Sequence, residues 1–158
     1  MYYFAYGSNL YEPRMRARVP STAMFETARL PGYELAFRKR GADGSMKCDL
    51  DPAAPETVWG VLYRIDPDEL ALLDAVEGEG YERIEVTVAP SGGEAMVDAI
   101  TYRARPEWID DGRPFDWYRD LVVEGARRHG LPEPYVAAIE ALDADPDPDP
   151  GRARENRP

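Results

Sequence analysis

Two short stretches carry side chains and backbone suited to moving a proton and holding a negative charge. The first is Tyr6-Gly7-Ser8-Asn9-Leu10. Gly7 is read as admitting a backbone conformation that other residues avoid. Ser8 and Asn9 have short side chains that hydrogen-bond backbone groups in turns. A helical pattern from Tyr11 to Arg18 follows, so the loop would present free N–H groups at a helix start, fit for an anion or a polarised carbonyl. The second stretch is Leu73-Asp74-Ala75-Val76-Glu77-Gly78. Glu77 ends a helix, where the dipole disfavours a carboxylate. That position, with partial burial, would raise its pKa towards neutrality, as a general base requires. Each stretch has a plainer alternative: an ordinary Gly-Ser-Asn turn, and a solvated surface glutamate.

Other reactive residues carry less. His129 is the single histidine and falls in a helix's last turn beside Arg127 and Arg128. A cation is favoured there, so capping is the expected role. Cys48 adjoins Lys47, which could lower its pKa, but a bystander thiol is the expected reading. Glu77-Gly78-Glu79-Gly80 follows a helix rather than a strand, and no Gly-Lys-Ser/Thr is present, so it is no phosphate loop.

The elements that must position these residues follow from the pattern. Tyr2, Phe4 and Tyr6 alternate with Tyr3 and Ala5, predicting a strand buried on both faces. Glu12-Pro13 opens a short helix that Pro20 ends. Two strands are predicted over Ala23–Leu30 and Tyr33–Lys39, joined by a turn at Pro31-Gly32. Arg40–Pro55 reads as loop, with a short strand at Met46–Leu50. Thr57–Ile65 is the clearest strand, and Gly60 inside it predicts a bulge or a close backbone approach. Asp66-Pro67-Asp68-Glu69 has capping-box spacing and opens a helix to about Val76, with Leu70, Leu73 and Val76 on one face. Tyr81–Ala89 and Ala95–Ala104 form a hairpin. Helices are predicted over Phe115–His129 and Pro132–Ala141. Together these give a small, mostly antiparallel sheet or barrel with helices at its edge.

The chain has 158 residues, which predicts one folded domain over 1–142. Residues 143–158 repeat Asp-Pro and offer no aliphatic side chain beyond alanine, predicting a flexible acidic tail. The net charge is -11, from 30 acidic against 19 basic residues. That argues against nucleic acid or an anionic membrane as partner. A single cysteine, no transmembrane-length apolar run and no signal-like N-terminus together predict a cytoplasmic protein.

Taken in order, Tyr6-Gly7-Ser8-Asn9-Leu10, Val58-Trp59-Gly60-Val61, Leu73-Asp74-x-x-Glu77-Gly78, Tyr81 and Gly130-Leu131-Pro132-x-x-Tyr135 resemble the γ-glutamylcyclotransferase family, in particular its glutathione-pathway members. The resemblance spans Tyr3 to about Pro146. It implies an α+β fold, a small mixed β-barrel with peripheral helices. It implies cofactor-independent, metal-free chemistry, in which the α-amine of a γ-glutamyl group attacks its own γ-carbonyl to give 5-oxoproline and a free amine. It implies Glu77 as general acid/base. Tyr6, Gly7, Ser8, Asn9 and Leu10 would line the substrate pocket, and Tyr81 and Tyr102 would place phenols near it. By analogy the chain could form a homodimer. A second reading is a non-catalytic small-molecule or protein-binding module on the same barrel.

Overall fold

The computed structural model describes residues 1–93 and 95–158. Among them, five strands close a barrel in the order β1 (Tyr2–Ala5), β3 (Met46–Arg64), β2 (Ala23–Arg40), β4 (Tyr81–Pro90), β5 (Val97–Ala104). Neighbours run antiparallel except β5 and β1, which close the barrel in parallel. Helices α1 (Glu12–Arg18), α2 (Leu70–Glu77), α3 (Asp116–Arg128), α4 (Glu133–Glu140) and α5 (Pro150–Asn156) lie outside. The barrel is thus mixed, with peripheral helices.

β1 is buried on both faces because it is flanked on both sides. Tyr3 pairs with Tyr63 of β3 and with Ile100 of β5, and Phe4 and Ala5 are fully buried. Gly60 provides the close approach that its place in a strand implied. A side chain there would collide with the Ala5 carbonyl and the Phe4 ring.

The turn expected at Pro31-Gly32 is instead a bulge in one continuous strand. Gly32 has φ +86°, and between Pro31↔Thr57 and Tyr33↔Pro52 it faces residues 53–56 of β3. A proline that cannot donate and a glycine at positive φ mark a bulge as readily as a turn. For the same reason Arg40–Pro55 is mostly strand rather than loop: β3 starts at Met46 and runs through both prolines.

Asp66 caps as expected, but it caps the 3₁₀ turn Pro67–Glu69 that leads into α2 rather than α2 itself, its carboxylate accepting from Asp68 N at 3.0 Å. Glu69 does not complete the capping box. It accepts from Ser21 N, while the Asp66 N–H donates to Ser21 Oγ, both at 2.9 Å. The apolar face of α2 is also narrower than expected: Leu73 is fully buried but Val76 is 40% exposed. α3 buries Tyr118, Leu121, Val122 and Ala126 against the barrel, and Gly130 (φ +68°) ends it.

Segment 143–158 is docked, contrary to the flexible tail expected from its composition. Asp145 exchanges backbone hydrogen bonds with Pro114 and Asp116 at 3.0 and 2.9 Å. Asp147 accepts from the Trp117 indole at 2.8 Å and from Arg152 at 2.6 Å. Asp149 caps α5, and Ala153 is buried. Polar pairing to α3 supplies the ordering that apolar burial could not.

Candidate active site

The site lies where the end of β1 meets the end of α2. Ser8–Leu10 form one 3₁₀ turn, closed by Leu10 N donating to Gly7 O at 3.0 Å. Among the described residues, the N–H groups of Gly7, Ser8 and Asn9 have no acceptor. Gly7 is not in the left-handed region expected of it, since its φ is -110°. Its requirement is steric: a Cβ there would lie 3.1 Å from Cys48 Cβ and 3.6 Å from the Tyr118 hydroxyl.

Glu77 reaches this loop. Asn9 Nδ2 donates to Glu77 Oε1 at 2.9 Å and to the Tyr3 hydroxyl at 2.9 Å. Arg18 Nη1 donates to Asn9 Oδ1 at 2.8 Å. This fixes the amide orientation, because a flipped Asn9 would face its oxygen to a carboxylate and its NH₂ to a guanidinium. The carboxyl of Glu77 is held above the ordinary carboxylate range. Burial is the main cause, opposed by Arg18, the Asn9 hydrogen bond, Lys39 and Arg14. Desolvation therefore does what was expected of the helix dipole.

The cavity beside Glu77 measures about 30 Å³. Tyr6, Gly7, Ser8 and Asn9 line it with Glu77, Tyr81 and Tyr102. Leu10 does not. Its side chain is fully buried in the core, and its carbonyl accepts from His129 Nε2 at 2.9 Å. His129 thus anchors the loop and, half-buried, is held below the usual histidine pKa rather than serving as the cationic cap expected. Tyr63 adds a second anchor, donating to Asn9 O at 3.0 Å.

The three phenols expected near the substrate spend their protons on the protein. Tyr6 donates to Tyr102 O and Tyr81 to Cys48 O, both at 2.6 Å, and Tyr102 donates to Asp74 Oδ1 at 2.5 Å. Three further cavity residues escaped the pattern of the chain: Tyr3, Cys48 and Tyr118. The Tyr3 hydroxyl accepts from Asn9, and its own proton has no acceptor among the described residues. Tyr3 reads as core because its strand is apolar on both faces. Tyr118 reads as core because it falls on the inward face of α3. The Cys48 thiol is pushed up to about 12 by burial, so it is no nucleophile. The neighbouring Lys47 is taken up by Asp43 at 2.8 Å.

Outside the cavity lies an open basin of about 240 Å³, lined in part by Arg14, Arg18, Lys39 and Lys47. Arg14 and Arg18 are four apart on α1, directly after the loop, and that spacing was the available signal. Among the described residues no cluster of His, Cys, Asp and Glu could hold a metal ion, and no helix is long and apolar enough to cross a membrane.

The arrangement joins a carboxylate of raised pKa, a loop of free N–H donors and a small enclosed space. Residues 57–139 match the AIG2-like family. Human gamma-glutamylcyclotransferase is 31% identical over 89% of this chain and 78% of its own length. A solved structure named gamma-glutamyl cyclotransferase superposes with TM-score 0.88 at 27% identity, covering 98% of this chain and 96% of its own. A human structure described as an uncharacterized protein gives TM-score 0.84 at 30% identity, over 91% and 88%. By these matches the chain belongs to the AIG2-like family of γ-glutamylcyclotransferases, and it is an enzyme of that kind.

Proposed function

We propose that the enzyme cyclises the γ-glutamyl group of γ-glutamyl-amino acids or γ-glutamyl-amines to 5-oxoproline, with Glu77 moving the proton. The observation that carries this reading is the Asn9–Glu77 hydrogen bond, which ties the carboxylate to the loop of free N–H groups. Glu77 takes a proton from the substrate α-ammonium. The freed lone pair attacks the γ-carbonyl carbon, forming the ring C–N bond. Negative charge gathers on the carbonyl oxygen, where the N–H groups of Gly7, Ser8 and Asn9 can receive it. The attacking nitrogen is now a ring ammonium with one proton too many. Collapse breaks the bond to the departing nitrogen, which takes the proton back from Glu77, and the freed carboxylate then passes the second ring proton to it, so that the amine leaves as an ammonium. Nucleophile and electrophile belong to one molecule, so the enzyme's task is to hold the folded conformer. Atoms and charge balance without an external reagent.

The raised carboxyl pKa of Glu77 supports the role, since it narrows the gap to an ammonium donor. A space of about 30 Å³ admits little more than the reacting end of the substrate. The remainder would lie in the basin.

The test is to incubate the purified protein with a panel of γ-glutamyl-amino acids and γ-glutamyl-amines and to measure 5-oxoproline chromatographically. One 5-oxoproline per amine released is expected. No product from any panel member would overturn the reading.

A further inference from the structure

The basin outside the Glu77 cavity is basic in a chain whose net charge is -11. It shares Ser8, Glu77, Tyr81 and Tyr118 with the cavity, whereas the neighbouring groove beside Arg83 and Arg105 shares only Tyr81 and Tyr102, so of the two the basin is the more continuous with the cavity. Of its four cations, only Lys47 has a carboxylate ion-pair partner among the described residues, Asp43. Arg14, Arg18 and Lys39 have none within 4.0 Å.

Lys39 occupies a built slot. The residue is only 7% exposed, and its ammonium lies 4.8 Å from the Tyr81 ring centroid and 5.0 Å from that of Trp108. The stem fills the space a side chain at Gly80 would need, since a Cβ there would come 2.8 Å from Nζ. The ammonium has no hydrogen-bond partner among the described residues. Arg14 is similarly short of partners. One Nη donates to Asn156 at 3.0 Å, but its buried Nε donates to nothing. Leaving Arg14 Nε out of water with no acceptor is costly, and the Lys39 ammonium, which keeps access to solvent, has no carboxylate of its own and is placed to pair with an anion in the basin.

We propose that the basin is the leaving-group subsite and that it takes an acidic amino acid, an amine bearing two carboxylates. This rests on the cyclisation reading above. With the γ-carbonyl beside Glu77, the departing nitrogen points outward into the basin. The α-ammonium and α-carboxylate of the glutamyl half cancel. Four cations in the basin face two carboxylates, Glu77 and Asp43, leaving two positive charges. A leaving amino acid with a neutral side chain brings one negative charge and leaves the other cation unanswered. A second carboxylate answers it. A cationic amine is repelled outright.

The test compares kcat/KM for γ-glutamyl-glutamate and γ-glutamyl-glutamine, which are near-isosteric and differ by one charge. The acidic dipeptide is expected to be favoured by about tenfold or more at low salt, one additional half-buried ion pair's worth. That preference shrinks as sodium chloride screens it. Lys39→Met is expected to reduce kcat/KM for the acidic dipeptide about tenfold more than for the amide one, chiefly through KM. Should Lys39→Met not fold, Arg14→Gln carries the same comparison. Equal or better turnover of γ-glutamyl-glutamine overturns the subsite while leaving the cyclisation intact. A preference that survives both variants and high salt also overturns it. No 5-oxoproline from any γ-glutamyl dipeptide overturns the cyclisation itself, and the subsite with it.

Discussion

Asn9 Nδ2 lies 2.9 Å from Glu77 Oε1, joining the loop after β1 to the last residue of α2 across 68 positions of chain. The hydrogen bond favours the ionised carboxylate and so opposes the rise in its pKa that burial causes. Asn9→Ala removes that donor together with the partner of Arg18 and of Tyr3. The carboxyl pKa then rises further, less of it is ionised at a given pH, and the acid limb of the kcat profile moves to higher pH. A fall in kcat of about 10–100-fold at neutral pH is expected. The buried groups left without partners cost about 1–3 kcal/mol of stability. A pH–rate profile and a denaturant titration read the two effects separately; an unmoved acid limb would show that Asn9 does not govern the proton.

Glu77→Gln keeps an oxygen for Asn9 but cannot accept a proton, and turnover should fall by about 10²–10⁴. Its stability should move the other way. The folded-state pKa of this acid is raised by burial, so the native state binds a proton more tightly than the unfolded chain does. That contribution is fully present below the ordinary carboxylate pKa and is lost as pH rises through the folded-state value. Glutamine carries no such loss. The variant should therefore melt above the parent at pH 7–8, and the difference should close towards pH 4. Thermal melts across that range check the sign, and a variant that melts lower at pH 8 contradicts it.

Tyr3 is a phenol whose proton remains uncommitted beside Glu77 and Asn9; that of Tyr118, which accepts from Cys48 N, is uncommitted too, whereas those of Tyr6, Tyr81 and Tyr102 are taken by protein acceptors. Burial raises its pKa well above the usual phenol value, so it stays protonated as a donor. If that proton meets the γ-carbonyl oxygen or the departing nitrogen, Tyr3→Phe should lower kcat by about tenfold or more, the order expected for a donor to developing charge. KM should change little. The fold should persist, since phenylalanine fills the same space and only one Asn9 N–H loses its acceptor. Steady-state kinetics alongside Tyr81→Phe separates the roles. Tyr81 holds the Cys48 carbonyl, so its loss should show first in Tm.

Much of this was legible in the sequence, and the exceptions share physical causes. The loop at Tyr6–Asn9, the carboxylate at Glu77 and the barrel-forming strands carry local signatures: a Gly-Ser-Asn turn, a helix stop, alternating apolar residues. Pro31-Gly32 reads as a turn in the sequence because a turn and a bulge ask the same of the backbone. Segment 143–158 reads as flexible because composition reports apolar burial and not the Asp147–Arg152 and Asp147–Trp117 pairs. Tyr3 and Tyr118 were hidden by their own hydrophobicity, since a buried phenol in a pocket looks like core until its neighbours in space are known. The cations of the basin come from α1, β2 and β3, and only the Arg14/Arg18 spacing hints that they converge.

Gly125 offers a test of how the loop is held in place. It lies in the middle of α3, where alanine would favour the helix by about 0.5–1 kcal/mol. Here it faces the loop. A Cβ at this position would stand 2.5 Å from Tyr11 N and 2.7 Å from Leu10 Cβ. The nearest atoms are backbone, so no rotamer change relieves the clash, and α3 or the loop must shift. Overpacking of this kind costs about 1–3 kcal/mol, which exceeds the helix gain. The shift falls on Leu10, whose carbonyl is pinned by His129, and passes through one residue to Asn9 and its bond to Glu77. Gly125→Ala should therefore lose more in kcat than its stability change alone would suggest, at a site that touches no substrate. A variant at a half-exposed position of the same helix, Glu124→Ala, is the control for general effects on α3. Equal kinetics in the two variants would mean that the loop is not braced by this contact.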